Sequence, residues 1–392
     1  MSPLAGLLVV ALEQAISAPL CTRHLADLGA RVIKVENPVG GDSTRHYDDV
    51  VHGMSGHFVW LNHGKESVAL DLTQAADREL FECLLDAADV FVSNLAPGAL
   101  GRLGLGPTDL VRRRPRLVVV DISGYGEGGP LDHKRAYDLL VQAEAGVCAI
   151  TGEPGVPAKP GVPVADVGTA LYAFGSIVTA LYDRERTGRG TVVSLAMLDV
   201  VAEMMGFALN QVVHGAPAPR AAGMGSPLIA PYGAYPTRDG HTVVLGTTSD
   251  REFRRLADML GRPDLAEDER YRHNADRIRH RSQLDAVLDD WCRTRDLAEI
   301  QTMADAAGIG NARLNDVTDL AAHPQLHERG RWHEVTTPGG TAPVLRPPPT
   351  SADWVVRSAR VPDLGEHTRA VQEEFGARLG TVPPGPPPRP RV

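Results

Sequence analysis

One aspartate near the start of a long apolar stretch is the residue of this sequence best suited to covalent chemistry. The stretch "GVPVADVGTALYAFGSIVTALYDRERTGRG" covers residues 161–190, and Asp166 is the acid near its start. An aspartate before a helical run accepts backbone N–H bonds as an N-cap. A carboxylate in apolar surroundings can also act as a nucleophile toward an activated substrate. The position of Asp166 in the sequence leaves both roles open.

Other familiar motifs do not predict a site. "GYGEGG", residues 124–129, has the letters of GxGxxG, but Pro130 follows it instead of a helix, so a tight turn is expected there. His323 and His327 stand four apart without the glutamate of HExxH, which is typical of surface histidines. The four cysteines are far apart and form no CxxC, so we expect free thiols. Neither a metal nor a prosthetic group is expected.

Composition and charge exclude several classes of protein. The chain has 392 residues and a formal net charge of -9, with 43% hydrophobic and 23% charged residues. This length predicts two domains, and the acidic balance argues against a general nucleic-acid binder. The N-terminus lacks a signal-peptide pattern, and no uninterrupted apolar run approaches about 18 residues. We therefore expect a cytoplasmic protein with neither nucleic acid nor membrane as a partner.

Strand and helix patterns alternate along the first half of the chain and must position these residues. "GLLVVALE", "RVIKVE", "SVALDL", "DVFVSNL" and "RLVVVDIS" read as buried strands with helical segments between them. This alternation predicts an α/β domain with a largely parallel sheet. A Gly-, Pro- and Ala-rich linker is expected at residues 213–234, followed by a smaller α+β domain at 235–328. An extended segment at 329–378 and a disordered tail at 379–392 complete the prediction.

Several blocks, in this order along the chain, resemble the class III coenzyme A transferases, a family that also contains the α-methylacyl-CoA racemases. They are "GARVIKVENPVGGD", "SNLAPGALGRLGL", "GYGEGGP", "RAYDLLVQAEAGVCAITG", "ADVGTALYAFGSIVTALYDRERTGRG", "AAHPQLHERG" and "LGEHT". The resemblance implies a large Rossmann-like, CoA-binding domain built from residues 1–212 and the segment at 329–378. It also implies a small inserted domain on long linkers and an interlocked homodimer.

In the transferase branch, the aspartate of the "ADVG" block attacks the acyl-CoA thioester, and Asp166 occupies that place. The resemblance thus implies a covalent aspartyl intermediate, with acyl-CoA and a carboxylic acid as substrates. A free aspartate has a pKa near 3.9, so we expect Asp166 to be ionised at neutral pH without a base. Gly223 and Gly225 of "GMGS" are candidates for stabilising the oxyanion through their backbone N–H groups.

The resemblance also implies which residues contact the substrates. The candidates for binding CoA are Leu70, Asn94, Leu95, Arg102, Arg135 and Tyr137. The candidates at the acyl end are Arg45, His46 and Trp60, with Tyr47 and His57 in the same segment. Their mixture of charge and aromatic character suits a small polar acid, such as the dicarboxylate succinate. Ile16, Asn37 and Thr73 depart from the formyl-CoA transferase pattern, so formyl-CoA and oxalate are not assigned as substrates.

Two alternative functions share the same fold. A racemase needs two bases to remove and return an α-proton, but the corresponding positions hold Tyr137 and Ser249, which are poor bases near pH 7. Asp250 could serve as a base if the alignment shifts by one residue. The second alternative, a non-catalytic CoA-binding protein, would have lost its nucleophile, whereas Asp166 is present. The residues therefore favour the transferase.

Overall fold

The computed structural model describes residues 2–355 and 359–376. The predicted disordered tail lies outside the described residues. The elements of the first half are, in chain order, β1 (Leu8–Leu12), α1 (Ser17–Asp27), β2 (Arg31–Glu36), a 3-10 helix (Ser43–His46), α2 (Gly56–Asn62), β3 (Glu66–Ala69), α3 (Ala75–Ala87), β4 (Val90–Ser93), α4 (Ala99–Arg102), α5 (Pro107–Arg113), β5 (Val118–Ser123), α6 (Asp138–Glu144), α7 (Val147–Ile150), β6 (Gly152–Glu153), β7 (Val156–Pro157), α8 (Val164–Thr187), β8 (Val192–Ala196) and α9 (Met197–Met204).

The second half contains further helices, one set of three short strands and one pair of strands. Its elements are α10 (Gly206–Val213), β9 (Tyr232–Pro236), β10 (Thr242–Gly246), α11 (Asp250–Met259), α12 (Asp264–Glu267), α13 (Asn274–Arg279), α14 (Arg281–Cys292), α15 (Leu297–Ala307), β11 (Gly310–Arg313), α16 (Val317–Ala321), α17 (Pro324–Glu328), β12 (Trp332–Thr337), β13 (Gly340–Leu345) and α18 (Thr368–Gly376). The five strands predicted in the first part of the chain are thereby confirmed, as is the helix that contains Asp166.

A six-stranded parallel sheet has the strand order β3-β2-β1-β4-β5-β8. The register places Val10 of β1 opposite Ile33 of β2 and Phe91 of β4. The strands are almost continuously apolar because helices cover both faces of a parallel sheet. The strand order reverses between β1 and β4, as in doubly wound α/β folds, and ligands bind such folds beyond the carboxyl ends of the strands at this point.

The core of the sheet domain joins residues from distant parts of the chain. Phe81 of α3 and Phe91 of β4 are fully buried and contact each other edge to face. Val371 and Phe375 of α18 belong to the same apolar cluster. The C-terminal helix α18 thus packs into the core of the sheet domain. The extended segment before it forms a hairpin of β12 and β13, which packs with Phe58 of α2.

Helix α8 has the length and composition of a membrane-spanning helix, with a mean hydropathy of 1.5 over 18 residues. It is nevertheless part of the sheet domain, where it packs against α1, α6, α9 and β5. Its apolar surface is only partly used in these contacts, since Leu171, Tyr172 and Tyr182 are 53%, 46% and 68% exposed. The single chain thus has an apolar face on its longest helix.

The chain divides into two units at positions that differ from the predicted boundaries. The first unit combines residues up to Ala145, Val162–Met205 and the segment from Glu328 onward. The second combines Gly146–Gly161 with Gly206–His327, and its three-stranded antiparallel sheet has the order β11-β10-β9. The sequence prediction assigned residues 146–161 and 206–212 to the large domain. The short hairpin β6–β7 instead belongs to the second unit, where Gly223 donates its N–H to the carbonyl of Gly152 at 2.8 Å.

Candidate active site

A cavity of about 660 Å³ opens where the strand order of the parallel sheet reverses. It is lined by the segment after β1, the segment after β4, residues 134–139 and Asp166. All of these residues belong to the first unit. The volume lies within the usual range of small-molecule sites, and the location is the one expected for a ligand of a doubly wound sheet.

Asp166 lies in the first turn of α8, and a second aspartate holds that helix end. Oδ1 of Asp138 accepts hydrogen bonds from the backbone N–H groups of Ala165 and Asp166, at 3.0 and 3.3 Å. Oδ2 of Asp138 accepts a bond of 2.6 Å from Nε2 of Gln142. The N-cap role that the sequence left open for Asp166 therefore belongs to Asp138, and the carboxylate of Asp166 is free to face the cavity.

The ionisation of Asp166 differs from the expectation for a free aspartate. Burial and, to a smaller extent, the neighbouring negative charge of Asp138 together raise the pKa of Asp166 to about 7, against an opposing effect of the polar groups of Ser17. The carboxyl group therefore titrates near neutral pH, whereas a free aspartate is fully ionised there. A carboxylate that has lost much of its hydration and has a pKa near neutrality is typical of a functional site.

The backbone between β1 and α1 brings Ser17 to Asp166. Ser17 lines the same cavity as Asp166, and its hydroxyl and backbone N–H act to lower the pKa of Asp166. The N-terminus of α1 has no side-chain cap of its own. Ala15 has a φ of 60°, an unfavourable backbone conformation for a residue with a side chain, which the surrounding contacts must stabilise. Sequence reasoning missed Ser17, although it begins the helix that follows a buried strand.

A network of buried ion pairs contacts the segment between β1 and α1. Nζ of Lys34 lies 2.8 Å from Asp42 Oδ2 and 3.3 Å from the carbonyl oxygen of Glu13. The N–H of Ala15 donates to Asp42 at 3.3 Å, and Lys65 pairs with Glu13 at 2.7 Å. The side chains of both lysines and of both acids are almost completely buried. These ion pairs fix the position of the segment that carries Ser17.

The structure brings together four of the six predicted CoA contacts. Asn94, Leu95, Arg135 and Tyr137 line the cavity with Asp166. The amide of Asn94 is committed to protein atoms, since it bonds the backbone of Gln14 at 2.8 and 2.7 Å and Ser17 Oγ at 3.2 Å. Asn94 can therefore contact CoA only through the part of its surface that these hydrogen bonds leave open.

The two arginines expected to bind phosphate, Arg102 and Arg135, are both exposed, but only Arg135 lines the cavity of Asp166. Arg135 is exposed, and within residues 2–355 and 359–376 no hydrogen bond or ion pair engages its guanidinium. Arg102, at the end of α4, is also exposed and reaches only the carbonyl oxygen of Pro97, at 3.4 Å. It does not line the cavity of Asp166. Leu70 lines a second, smaller cavity of about 210 Å³, which shares Leu95 with the first.

The residues predicted at the acyl end have different surroundings. Arg45 pairs with Glu36 at 2.8 Å, donates to the carbonyl of Pro362 and stacks on Phe58, so its nitrogen atoms are already used within the fold. His46 bonds the carbonyl oxygen of Gly40 at 2.8 Å, and Trp60 is 37% exposed. The geometry supports a structural role for Arg45 instead of a substrate contact.

Within the same segment, Tyr47 is the residue that lines the cavity of Asp166. Its ring contacts His57 edge to face at 5.5 Å, and His57 in turn contacts Trp60 at 6.5 Å. The three rings form a row that begins at the cavity. Tyr47 is therefore a better candidate for a substrate contact than Arg45.

The glycines predicted to stabilise an oxyanion belong to the second unit. Gly223 donates its N–H to Gly152, as described above, and Gly225 donates its N–H to the carbonyl of Ala222 at 2.9 Å. The carboxylate of Glu153 also lies where a side chain of residue 223 would be. Both N–H groups are used within the unit, and the oxyanion role of these glycines stays a prediction.

The residues that would act as bases in a racemase are placed unfavourably. Ser249 is the N-cap of α11, where its Oγ accepts the N–H of Glu252 at 3.2 Å. Asp250 bonds Arg277 at 2.7 Å and His273 at 3.2 Å, and these hydrogen bonds and charges hold its pKa below the usual value. A carboxylate paired in this way is a weak base. No cluster of three or more potential metal ligands occurs in the described part of the chain.

Comparison with known sequences agrees with the geometry of the cavity. The profile of "CoA-transferase family III" matches residues 4–368. The chain belongs to this family. It is thus an acyl-CoA:carboxylate CoA-transferase, as the blocks around Asp166 predicted.

Characterised family III transferases resemble the chain along nearly its whole length. An acetyl-CoA:oxalate CoA-transferase of Acetobacter aceti is 35% identical over 380 residues, which cover 96% of this chain and 96% of that protein. A succinyl-CoA:glutarate CoA-transferase of Mus musculus is 33% identical, covering 95% of this chain and 86% of that protein. A crystal structure of a CaiB/BaiF family protein from Brucella suis is 33% identical, with a TM-score of 0.83 and coverage of 95% and 99%. The mixed α/β fold with a parallel sheet is that of the family.

Proposed function

We propose that this family III transferase moves CoA through covalent intermediates on Asp166. The observation that carries the proposal is the position of Asp166. Its partly desolvated carboxylate lines the cavity at the reversal of the sheet, together with the first residue of α1. Carboxylates of this kind react with activated acyl groups, and a thioester is such a group.

The reaction proceeds in four acyl transfers. An oxygen of Asp166 bonds to the acyl carbon of the donor, the carbon–sulfur bond breaks, and CoA thiolate leaves an acyl-aspartyl anhydride. The thiolate then attacks Cγ of Asp166 and expels the donor as a carboxylate, which leaves an aspartyl-CoA thioester. The acceptor carboxylate attacks Cγ and releases the thiolate, and the thiolate finally attacks the acyl carbon of the acceptor, restoring the Asp166 carboxylate. No step consumes a proton, an oxidant or a metal-bound group.

We assign small dicarboxylates, with succinate as the example, to the acyl end of the site. The cavity combines the phenol rings of Tyr47 and Tyr137 with the unpaired guanidinium of Arg135, a set that could hold a second carboxylate. A relative of this chain in Mus musculus is named succinyl-CoA:glutarate CoA-transferase, and one in Agrobacterium fabrum is named succinate–glutarate CoA-transferase. The distal carboxylate is then recognised away from the thioester. A screen of acyl-CoA donors against mono- and dicarboxylic acceptors by mass spectrometry identifies the pair.

The interlocked homodimer and the cytoplasmic location are also proposals. The apolar face of α8, with Leu171, Tyr172 and Tyr182 exposed, supports a second subunit as its cover, because monomers rarely leave a continuous apolar face in water. None of the four cysteines forms a disulfide, which is typical of a reducing compartment. Light scattering of the purified protein measures the mass, and a monomer at micromolar concentration would contradict the dimer.

The covalent mechanism is tested with acyl-CoA alone, without an acceptor. Asp166 of the wild type should be recovered with CoA attached by a thioester, and added hydroxylamine should convert it to a hydroxamate, with loss of activity. Asp166→Ala should fold and bind CoA but lose transfer, because no other group can form the intermediates. Retention of more than a few percent of the activity by Asp166→Ala, with contamination excluded, contradicts the proposal.

The racemase alternative is tested in deuterated water with an acyl-CoA that carries an α-hydrogen. A transferase reacts only at the carbonyl carbon, whereas a racemase must break the α-carbon–hydrogen bond. Because Asp250 is paired with Arg277 and Ser249 caps a helix, we expect no uptake of deuterium. Rapid uptake without an acceptor would assign the protein to the racemase branch.

A further inference from the structure

We propose that Gln142 is a positioning residue that holds Asp138 against helix α8, so that Asp166 alone of the two neighbouring aspartates takes up the acyl group. This inference rests on the proposed aspartyl mechanism and deepens it. It explains how a cavity lined by two carboxylates can have a single nucleophile. It assigns that choice to a side chain that does not itself line the cavity.

The two aspartates are neighbours in one cavity. Asp138 and Asp166 both line it, and Oδ1 of Asp138 lies 3.3 Å from the backbone nitrogen of Asp166. A carboxylate oxygen that reaches the acyl carbon of a bound thioester can form an anhydride, whichever aspartate carries it. An enzyme that reacts through one of them must therefore keep the other away from the thioester.

Hydrogen bonds engage both carboxylate oxygens of Asp138. Its Oδ1 accepts the backbone N–H groups of Ala165 and Asp166, at 3.0 and 3.3 Å. Its Oδ2 accepts Nε2 of Gln142 at 2.6 Å, the one hydrogen bond that the described part of the chain gives to this oxygen. The terminal torsion of an aspartate has a broad, roughly two-fold preference, so the carboxylate is fixed only when both of its oxygens are held.

The amide of Gln142 can serve Asp138 in one orientation only. If the amide were reversed, its Oε1 would face Oδ2 of Asp138, and neither atom could donate. In the observed orientation, Oε1 is buried and has no hydrogen-bond partner among the residues that the structure describes. Gln142 thus leaves its oxygen unpaired while its nitrogen donates to Asp138.

The burial of Gln142 distinguishes this pair from an ordinary contact along a helix. Asp138 and Gln142 are four positions apart in α6, a spacing at which exposed side chains pair with a small effect on stability. Gln142, however, is completely buried, and α6 packs against α8 and α9. An unpaired buried oxygen destabilises the fold, so a residue that retains one beside a reactive carboxylate is expected to serve the function.

Loss of the Gln142 donor should release Asp138 toward the cavity. Asp138 is only partly buried, so water in the cavity can hydrate its Oδ2 once the carboxylate has rotated. A hydrogen bond to a charged group favours the held orientation over the released one by about tenfold or more. A released Asp138 would present a carboxylate oxygen to the same thioester as Asp166.

The test identifies which aspartate is acylated in Gln142→Met. Methionine has the length of glutamine without a donor, and it also removes the unpaired oxygen, so the variant should fold. Wild type and variant are mixed with acyl-CoA and hydroxylamine, without an acceptor. Hydroxylamine attacks Cγ of the acylated aspartate, releases the donor carboxylate or the CoA thiol, and leaves a hydroxamate at that residue. Fragmentation of the peptides in the mass spectrometer distinguishes position 138 from position 166.

We expect the hydroxamate of the wild type at Asp166. In Gln142→Met, the fraction of hydroxamate at Asp138 should rise about tenfold or more over wild type. Gln142→Leu, made in parallel, should give the same result, so the test does not depend on the folding of one variant. In the double variant Asp138→Asn, Gln142→Met, the modification should return to Asp166 alone, because the competing carboxylate is gone.

Val141→Ala is the matched control for a loss of packing in α6. Val141 precedes Gln142 and is also completely buried, but its side chain has no polar atom that could bond Asp138. We expect Val141→Ala to be modified at Asp166 as the wild type is, even where the smaller side chain lowers its stability. Modification of Asp138 in this control to the same extent as in Gln142→Met would make the effect structural and overturn the inference.

The outcomes separate this inference from the proposed function. If wild type and both Gln142 variants are modified at Asp166 only, the role of Gln142 is refuted while the aspartyl mechanism stands. If wild type is modified chiefly at Asp138, the choice of nucleophile is wrong in both proposals. If wild type transfers CoA and carries no modification at either aspartate, the covalent mechanism itself fails.

Discussion

The charge of Asp138 should raise the pH at which the enzyme becomes active. Asp166 has a pKa of about 7 in the folded protein, and the nucleophile is its ionised form. The wild-type kcat/KM for acyl-CoA should therefore fall tenfold per pH unit below about pH 7. Asp138→Asn removes the neighbouring negative charge, so ionisation of Asp166 becomes easier and the acidic limb moves to lower pH.

The size of the shift follows from the geometry. Oδ1 of Asp138 accepts the backbone N–H of Asp166 itself, so the two carboxylates are close neighbours. Two charges about 5 Å apart at an effective dielectric constant of about 20 repel by about 3 kcal/mol, or about 2 pKa units, as an upper bound. Burial is the larger cause of the raised pKa of Asp166 and is unchanged in the variant. We therefore expect a shift of about one unit.

Asparagine should fit at position 138. Its Oδ1 can still accept the N–H groups of Ala165 and Asp166, so the start of α8 remains capped. Its Nδ2 would meet the amide of Gln142, whose Oε1 is buried without a partner among the described residues. Rotation of the Gln142 amide turns that oxygen toward the new donor.

The assay is the pH dependence of kcat/KM between pH 5 and 9, with Asp183→Asn as the control. Asp183 lies near the other end of α8, about 25 Å from Asp166 along the helix axis, and its removal changes the net charge equally. The control should have the wild-type profile. An acidic limb of Asp138→Asn that stays in place or moves to higher pH would refute the electrostatic coupling of the two aspartates.

Three further predictions concern stability and binding. Asp166→Asn should raise the free energy of unfolding by about 1–3 kcal/mol at pH 8 but not at pH 4, because the raised pKa of Asp166 destabilises the folded state only at pH values above the pKa of aspartate in the unfolded chain. Equal effects in urea titrations at both pH values would contradict this. Lys34→Met should lower that free energy by about 3–5 kcal/mol, since it leaves the charge of Asp42 buried without its cation; a loss under 1 kcal/mol would be inconsistent. Arg102→Ala should raise the KM for acyl-CoA more than it lowers kcat, as expected for a remote phosphate contact; an unchanged KM would make Arg102 a solvated charge.

Local patterns were sufficient for the elements of the parallel sheet and for the choice of Asp166 as the proposed nucleophile. Strands such as β1 and β2 are short apolar runs, and a helix such as α8 has apolar residues over a length that no strand reaches. Asp166 was identified because it is an isolated acid at the start of that helix and occupies a recognisable block. Such features depend on neighbours in the sequence, so they can be predicted without the tertiary structure.

The domain boundaries and the role of Arg45 could not be predicted in this way. The hairpin β6–β7 joins the second unit through a bond between Gly223 and Gly152, which are 71 positions apart. Arg45 is used by Glu36, by Phe58 and by the carbonyl of Pro362, a residue near the far end of the chain. These contacts form only when distant segments meet, and no local pattern records them.

The sequence by itself determined the family, the strand and helix order and the choice of Asp166 as the proposed nucleophile, because each depends on residue type and spacing. Only the tertiary structure decided how that nucleophile behaves. The pKa of Asp166 depends on burial, on the charge of Asp138 and on the donors of Ser17, which lie 28 and 149 positions away in the chain. Solvation and electrostatic interaction act through space, so they are determined once folding has brought these three side chains together.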